Sequence, residues 1–168
     1  MSNPLKLCII GCLLLFVGQA YGAVPNPLKS ILGTHTEVGQ LHQGEQKIPL
    51  KSVVSCQPLA DGTAVICTGY TGTFFAWLDV FEWNPKTGWI TKTSHSTTAG
   101  ERVAKMSGPW DAKTRTWTLT GHSHHLKNPP TALHSTREFM ANGQRRFRLY
   151  ATIKGKEHLI IETQTTTE

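Results

Sequence analysis

One short phrase occurs twice in the middle of this chain and constrains its fold more than any other feature. It reads Trp83-Asn84-Pro85-Lys86-Thr87-Gly88-Trp89, then Trp110-Asp111-Ala112-Lys113-Thr114-Arg115-Thr116-Trp117. Each copy runs from an aromatic through Asn or Asp and a Lys-Thr pair back to an aromatic. Asn and Asp open turns by bonding the backbone two residues on, Pro85 presets the next φ, and Gly88 accepts positive φ. The flanks alternate: Trp89, Thr91, Thr93 and His95 share one face of a strand, and Trp117 and Leu119 share another. Two successive β-hairpins follow, and therefore an antiparallel meander.

The same punctuation recurs along the chain. Strands are expected over residues 34–42, 48–57, 63–70, 74–83, 89–95, 102–110, 116–122, 132–140, 145–152 and 158–165. Turns at Gln43-Gly44-Glu45, Asn128-Pro129-Pro130, Asn142-Gly143 and Lys154-Gly155-Lys156 separate several of them. Asp79, in the middle of the most apolar run, gives that strand a polar side. Pro27 to Gly33 suits one or two helical turns, with proline at the start and glycine as the stop. About ten strands in up-and-down order would leave two exposed edges, which closure into a barrel removes. The expected class is all-β: a single antiparallel meander closed into a β-barrel with a short N-terminal helix. The Thr-rich tail from Gln164 to Glu168 is expected to fray.

The domain plan is a signal peptide over residues 1–22, a lead segment with the short helix over 23–33, and the barrel over 34–165. Lys6 supplies the positive n-region, Leu7 to Val17 the apolar h-region, and Ala20-Tyr21-Gly22 small residues around the cut, so cleavage after Ala20, Gly22 or Ala23 fits. Ile9-Ile10-Gly11-Cys12 has the look of a lipobox. It would leave an h-region of only about five residues, against roughly 7–15 in a working leader. The apolar run is too short for a transmembrane anchor. The mature chain is therefore expected in the periplasm or the medium, with no stable membrane anchor.

Lys and Arg outnumber Asp and Glu by 17 to 11, a net charge of +6 that falls to +5 when Lys6 leaves. Such a modest, scattered excess does not make a nucleic-acid-binding surface. The one dense cluster, Arg145-Arg146-x-Arg148, places Arg146 and Arg148 on a solvated strand face alternating with Phe147 and Leu149.

After cleavage only Cys56 and Cys67 remain, with Asp61-Gly62 midway between them. Asp-Gly is a strong two-residue hairpin signal, and a turn there sets the cysteines directly opposite each other. Cross-strand Cα separations of about 4.5–5.5 Å fall within disulfide range. Pro58 brings no ladder donor, which would admit a bulge. A redox pair would be closely spaced as Cys-x-x-Cys, so the bridge is read as structural, in an oxidising compartment.

Together these elements resemble bacterial exported proteins of the DUF-fifteen-seventy-nine family, a domain of unknown function. The residues that carry the likeness are Cys56/Cys67, Trp83 to Gly88, Gly108 to Asp111, Thr116 to Gly121 and Arg145 to Glu162, in order across residues 28–163. The resemblance implies a lipocalin-like barrel and no established activity. The tryptophan that follows an early glycine in that family is replaced here by Thr34 and His35 after Gly33.

The residues admit three kinds of site. His122, His124 and His134 could bring imidazoles from neighbouring strands together for zinc, copper or haem, with His125 on the opposite face; exposed histidines at a strand end are the plainer reading. Aromatic side chains on the central strands, Trp77, Trp89, Trp117 and Phe147, could wall a cavity for a small apolar molecule, against plain core packing. Catalysis finds no footing: Asp79, Glu82, Glu101, Asp111 and Glu138 lie apart, and no nucleophile elbow, phosphate loop or zinc-helix motif is present. The expected function is non-catalytic binding of a small apolar molecule in the barrel, with no cofactor. Metal or haem binding and a purely structural role in the envelope are the alternatives.

Overall fold

A computed structural model of the chain describes residues 25–59, 62–72, 75–96, 102–125 and 128–166. The expected leader, with Cys8 and Cys12, lies outside the described residues, as do Asp61, Glu101 and the last two residues of the tail, whereas Gln164 to Thr166, expected to fray, pair instead with the first strand. A five-residue 3-10 helix, Pro27–Ile31, precedes ten strands. They are β1 (Gly33–Gln43), β2 (Gln46–Leu59), β3 (Ala64–Thr71), β4 (Phe75–Asn84), β5 (Trp89–Ser96), β6 (Arg102–Asp111), β7 (Thr116–His125), β8 (Asn128–Phe139), β9 (Arg145–Ile153) and β10 (Lys156–Thr166). Each strand pairs antiparallel with the next, and β1 pairs with β10, so the single sheet is a closed barrel.

Both copies of the repeated phrase form the expected turn. Asn84 Oδ1 accepts the backbone N–H groups of Lys86 and Thr87, at 3.0 and 3.3 Å. Asp111 Oδ1 does the same for Lys113 and Thr114, at 2.8 and 3.3 Å. These bonds, with that from the Thr114 hydroxyl first among them, hold the Asp111 carboxyl below its ordinary range. Gly88 takes φ +69° in the first copy, and Arg115 takes φ +54° at the corresponding place in the second.

Cys56 and Cys67 stand opposite each other in the β2–β3 ladder and are bridged, with Cα atoms 4.1 Å apart. The register runs unbroken through Pro58 to Leu59 opposite Ala64. The connection is thus four residues long rather than two, about the same midpoint. Asn128-Pro129-Pro130, expected to be a turn, instead begins β8. A proline there forfeits one donor at a strand start, which a ladder tolerates.

One end of the barrel is filled. The hairpins after β4, β6 and β8 lie at this end, and the 3-10 helix packs there, with Leu28 and Ile31 buried among Trp83, Ile90, Trp117, Leu119 and Phe139. Asn26 caps the helix through the Leu28 N–H (2.9 Å) and donates its amide to the Gly62 carbonyl (2.8 Å), which pins the lead segment to the β2–β3 connection. Arg145 Nη1 donates to the Ser30 carbonyl, 3.2 Å away. Phe139 meets Trp117 and Trp110 edge-on, with centroids 5.0 and 5.5 Å apart. The floor is therefore closed by the helix and these rings. The His35 side chain is buried beside Glu37.

Candidate functional site

Above the floor the lumen keeps a cavity of about 130 Å³. Its apolar wall comes from Leu50 and Val54 on β2, Trp77 and Phe81 on β4, and Phe147 and Leu149 on β9, with Ile31 at the base. Trp77 lies against the wall because the neighbouring β3 residue is Gly69. A Cβ there would fall 2.2 Å from the indole ring, so only glycine leaves the space.

The same lumen carries charge. Asp79, Lys92, Glu37 and Arg137 all line the cavity. Lys92 Nζ lies 2.8 Å from Asp79 Oδ2, and the Ser94 hydroxyl donates to Asp79 Oδ1 at 2.5 Å. Arg137 Nη1 donates to Glu37 Oε1 at 3.1 Å, and Thr163 Oγ1 donates to Glu37 Oε2 at 2.9 Å. His35 Nε2 lies 3.4 Å from Glu37 Oε1. Burial pushes the Glu37 carboxyl up, but Arg137, His35 and Thr163 outweigh it and hold the group well below the usual carboxylate range. Both cations also meet aromatic faces. Lys92 Nζ is 5.4 Å from the centroids of Phe81 and Phe147, and Arg137 Cζ is 5.1 Å from Phe147 and 5.8 Å from Trp117.

Of the aromatic residues expected to form a wall, the structure brings together Trp77 and Phe147 on the cavity. Trp117 is 1% exposed and sits in the floor against Phe81 and Phe139. Trp89 is 48% exposed on the outer face of β5, so it does not reach the lumen. Strand parity explains this: Ile90, Lys92 and Ser94 point inward, and Trp89 falls on the other side. Asp79 faces the interior rather than a polar exterior. It shares its parity with Trp77, Phe81 and Trp83, a signal present in the sequence and overridden by the usual expectation that charge faces water.

The histidines do not assemble. His122 and His124 are exposed on the outer face of β7. His134, on the neighbouring strand β8, is instead held by Glu157 at 3.0 Å and stacked on Tyr150. Among the described residues, no three His, Cys, Asp or Glu side chains converge where they could hold a metal ion. Arg146 and Arg148 lie on the outer face as expected, where Arg148 bonds Glu162 at 2.8 Å and Glu138 at 3.1 Å. The Glu162 bond raises the Arg148 pKa.

Compared with known proteins, the chain matches no family model and no curated protein. Its chemistry rests on the lumen. That lumen is part apolar and part charged, and its ionisable groups are already in contact with one another.

Proposed function

We propose that this chain is an exported, non-catalytic binding protein that holds a small, largely apolar molecule inside its barrel. The observation that carries this reading is the cavity of about 130 Å³ above a filled floor, walled by Trp77, Phe81, Phe147 and Leu149. An apolar void of roughly 150 Å³ is enough to take up benzene, which sets the scale of the guest: a small ring or a short chain. The non-catalytic reading is supported by the engagement of the wall carboxylates, Asp79 with Lys92 and Ser94, and Glu37 with Arg137 and Thr163. Export is supported by the leader-like N-terminus and by a disulfide of the kind extracytoplasmic proteins keep. Kinship with the DUF-fifteen-seventy-nine family belongs to the same proposal.

Native mass spectrometry of protein isolated from the cell envelope tests the reading, together with tryptophan fluorescence titrated with small hydrophobic compounds. The expected result is a co-purified organic mass, or a saturable fluorescence change that Trp77→Phe diminishes. A clean apo mass with no response across the panel would overturn carriage and leave a structural role.

A further inference from the structure

Charged groups inside a barrel this small need a reason. Burying an ion pair costs desolvation on both sides, and a pair of well-packed apolar residues usually does as well or better for stability. The floor of this barrel shows that solution, with tryptophan, phenylalanine, leucine and isoleucine at its inward positions. One layer higher, inward positions of β1, β4, β5 and β8 carry Glu37, Asp79, Lys92 and Arg137, all on the cavity.

The charges are not balanced. Among the described residues the interior holds three cations, Lys92, Arg137 and Arg145, against two carboxylates, Glu37 and Asp79, without counting His35. Arg145 Nε is buried without a hydrogen-bond partner. Burial first, and then the positive charge of Arg137, pull the Arg145 pKa down to about 10. The surplus cation is thus Arg145, which donates to the Ser30 carbonyl in the floor, while the four charged residues on the cavity balance two against two.

The carboxylates and the cations differ in what they have left to offer. Glu37 already accepts on both oxygens, from Arg137 and Thr163, and Asp79 receives Lys92 and Ser94. Each cation contacts its carboxylate through one nitrogen, whereas an ammonium carries three N–H donors and a guanidinium five. Both cations stand over the Phe147 ring, at 5.4 and 5.1 Å, so the donors and the apolar wall meet at one place.

We infer that the guest is a small monoanion, an aromatic or short-chain carboxylate. Its charged group is received by Lys92 and Arg137, and its apolar body lies against Trp77, Phe147 and Leu149. The inference rests on the cavity being a binding site, as proposed above, and adds the chemical class. A carboxylate brings acceptors for the N–H donors that Lys92 and Arg137 do not spend on Asp79 and Glu37, and the cavity volume limits its body to about the size of a benzene ring. A cationic guest would meet carboxylates already engaged by Lys92, Ser94, Arg137 and Thr163.

Matched pairs decide the question. The disulfide-intact protein is titrated calorimetrically at neutral pH with benzoate and benzyl alcohol, and with hexanoate and hexanol. At least one acid is expected to bind roughly ten- to hundredfold more tightly than its alcohol, the range of a hydrogen bond to a charged partner. Lys92→Met alone would strand Asp79 and can fail to fold, so the informative variant is Lys92→Met with Asp79→Asn. That double variant should lose about tenfold or more for the acid and keep the alcohol within roughly twofold. An alcohol that binds as well as its acid would overturn the anion inference and leave carriage standing. Tight acid binding indifferent to the double variant would overturn the role of Lys92. If neither member of any pair binds, carriage itself falls.

Discussion

At the floor end of the barrel the inward positions of β3, β4, β5, β7 and β8 carry Val65, Trp83, Ile90, Trp117, Leu119 and Phe139, all buried. Further along the same strands the inward positions change character. β4 turns to Asp79, β5 to Lys92 and β8 to Arg137, and a cavity opens among them. Both halves obey the same alternation, so what separates them is how the lumen is filled. The floor closes on itself with rings and the 3-10 helix. The upper half spends the same positions on ion pairs and empty space, which is poor for stability and suited to holding a guest.

The sharpest way to test that division is to make one cut in each half. Trp117→Ala should cost about 3–5 kcal/mol in urea unfolding, the range for deleting a large buried aromatic. Phe147→Ala should cost clearly less, because that ring already borders a void. Equal losses would break the comparison.

Removing the charge of Glu37 probes the upper half from its polar side. Glu37→Gln leaves Arg137 buried without its counter-ion and should destabilise by about 3 kcal/mol at neutral pH. The pH dependence follows from the depressed native pKa. The unfolded carboxyl, near 4.5, binds protons more readily than the folded one, so the stabilisation is complete above that pH and is lost as pH falls below it. Wild-type unfolding midpoints should therefore drop on the acid side of about 4.5, with a shallower drop in Glu37→Gln.

The Cys56–Cys67 bridge lies on the wall between the two halves. It closes a short loop, and its reduction should cost about 3 kcal/mol by loop entropy. Urea titrations with and without reductant measure this, and an unchanged midpoint would mean that the β2–β3 ladder holds without it. Gly69→Ala is a cut confined to the chamber wall. The new methyl group would displace the Trp77 ring, so a shifted indole emission is expected along with a loss of about 1–2 kcal/mol. An unmoved emission would show that Gly69 does not set the position of Trp77.

The smallest expected effect is at the floor end, between the two copies of the repeated phrase. Arg115 occupies the left-handed conformation that Gly88 takes in the other copy. Arg115→Gly should stabilise by about 1 kcal/mol, by relieving the cost of a side chain at positive φ less the entropy that glycine adds to the unfolded chain. A loss of stability would mean that the Arg115 side chain contributes something the turn geometry does not show.

Much of the fold was legible in the sequence because its signals are local. Asn84 and Asp111 declare their turns within three residues, Gly88 and Gly143 declare positive φ at a single position, and alternation assigns faces residue by residue. The opposition of Cys56 and Cys67 was legible too, since a hairpin's midpoint sets its register. The cavity wall was legible only in part. Trp77 and Phe147 reach the cavity, but nothing local separates them from Trp117, which packs the floor. Trp89 could have been set aside, because it shares its face with Thr91, Thr93 and His95.

By itself, then, the amino-acid sequence determined the meander, the position of the disulfide and the strands and turns apart from Asn128-Pro129-Pro130, which reads as a turn and begins β8. Each depends on groups that are neighbours along the chain or across one short loop. The tertiary structure alone decided the β1–β10 seam, the height at which the lumen stops being filled, and the pairing of interior charges. Glu37 meets Arg137 across 100 residues and Thr163 across 126. Only closure of the barrel brings these strands together, and packing volume and electrostatic balance inside a closed lumen are properties of all ten strands at once.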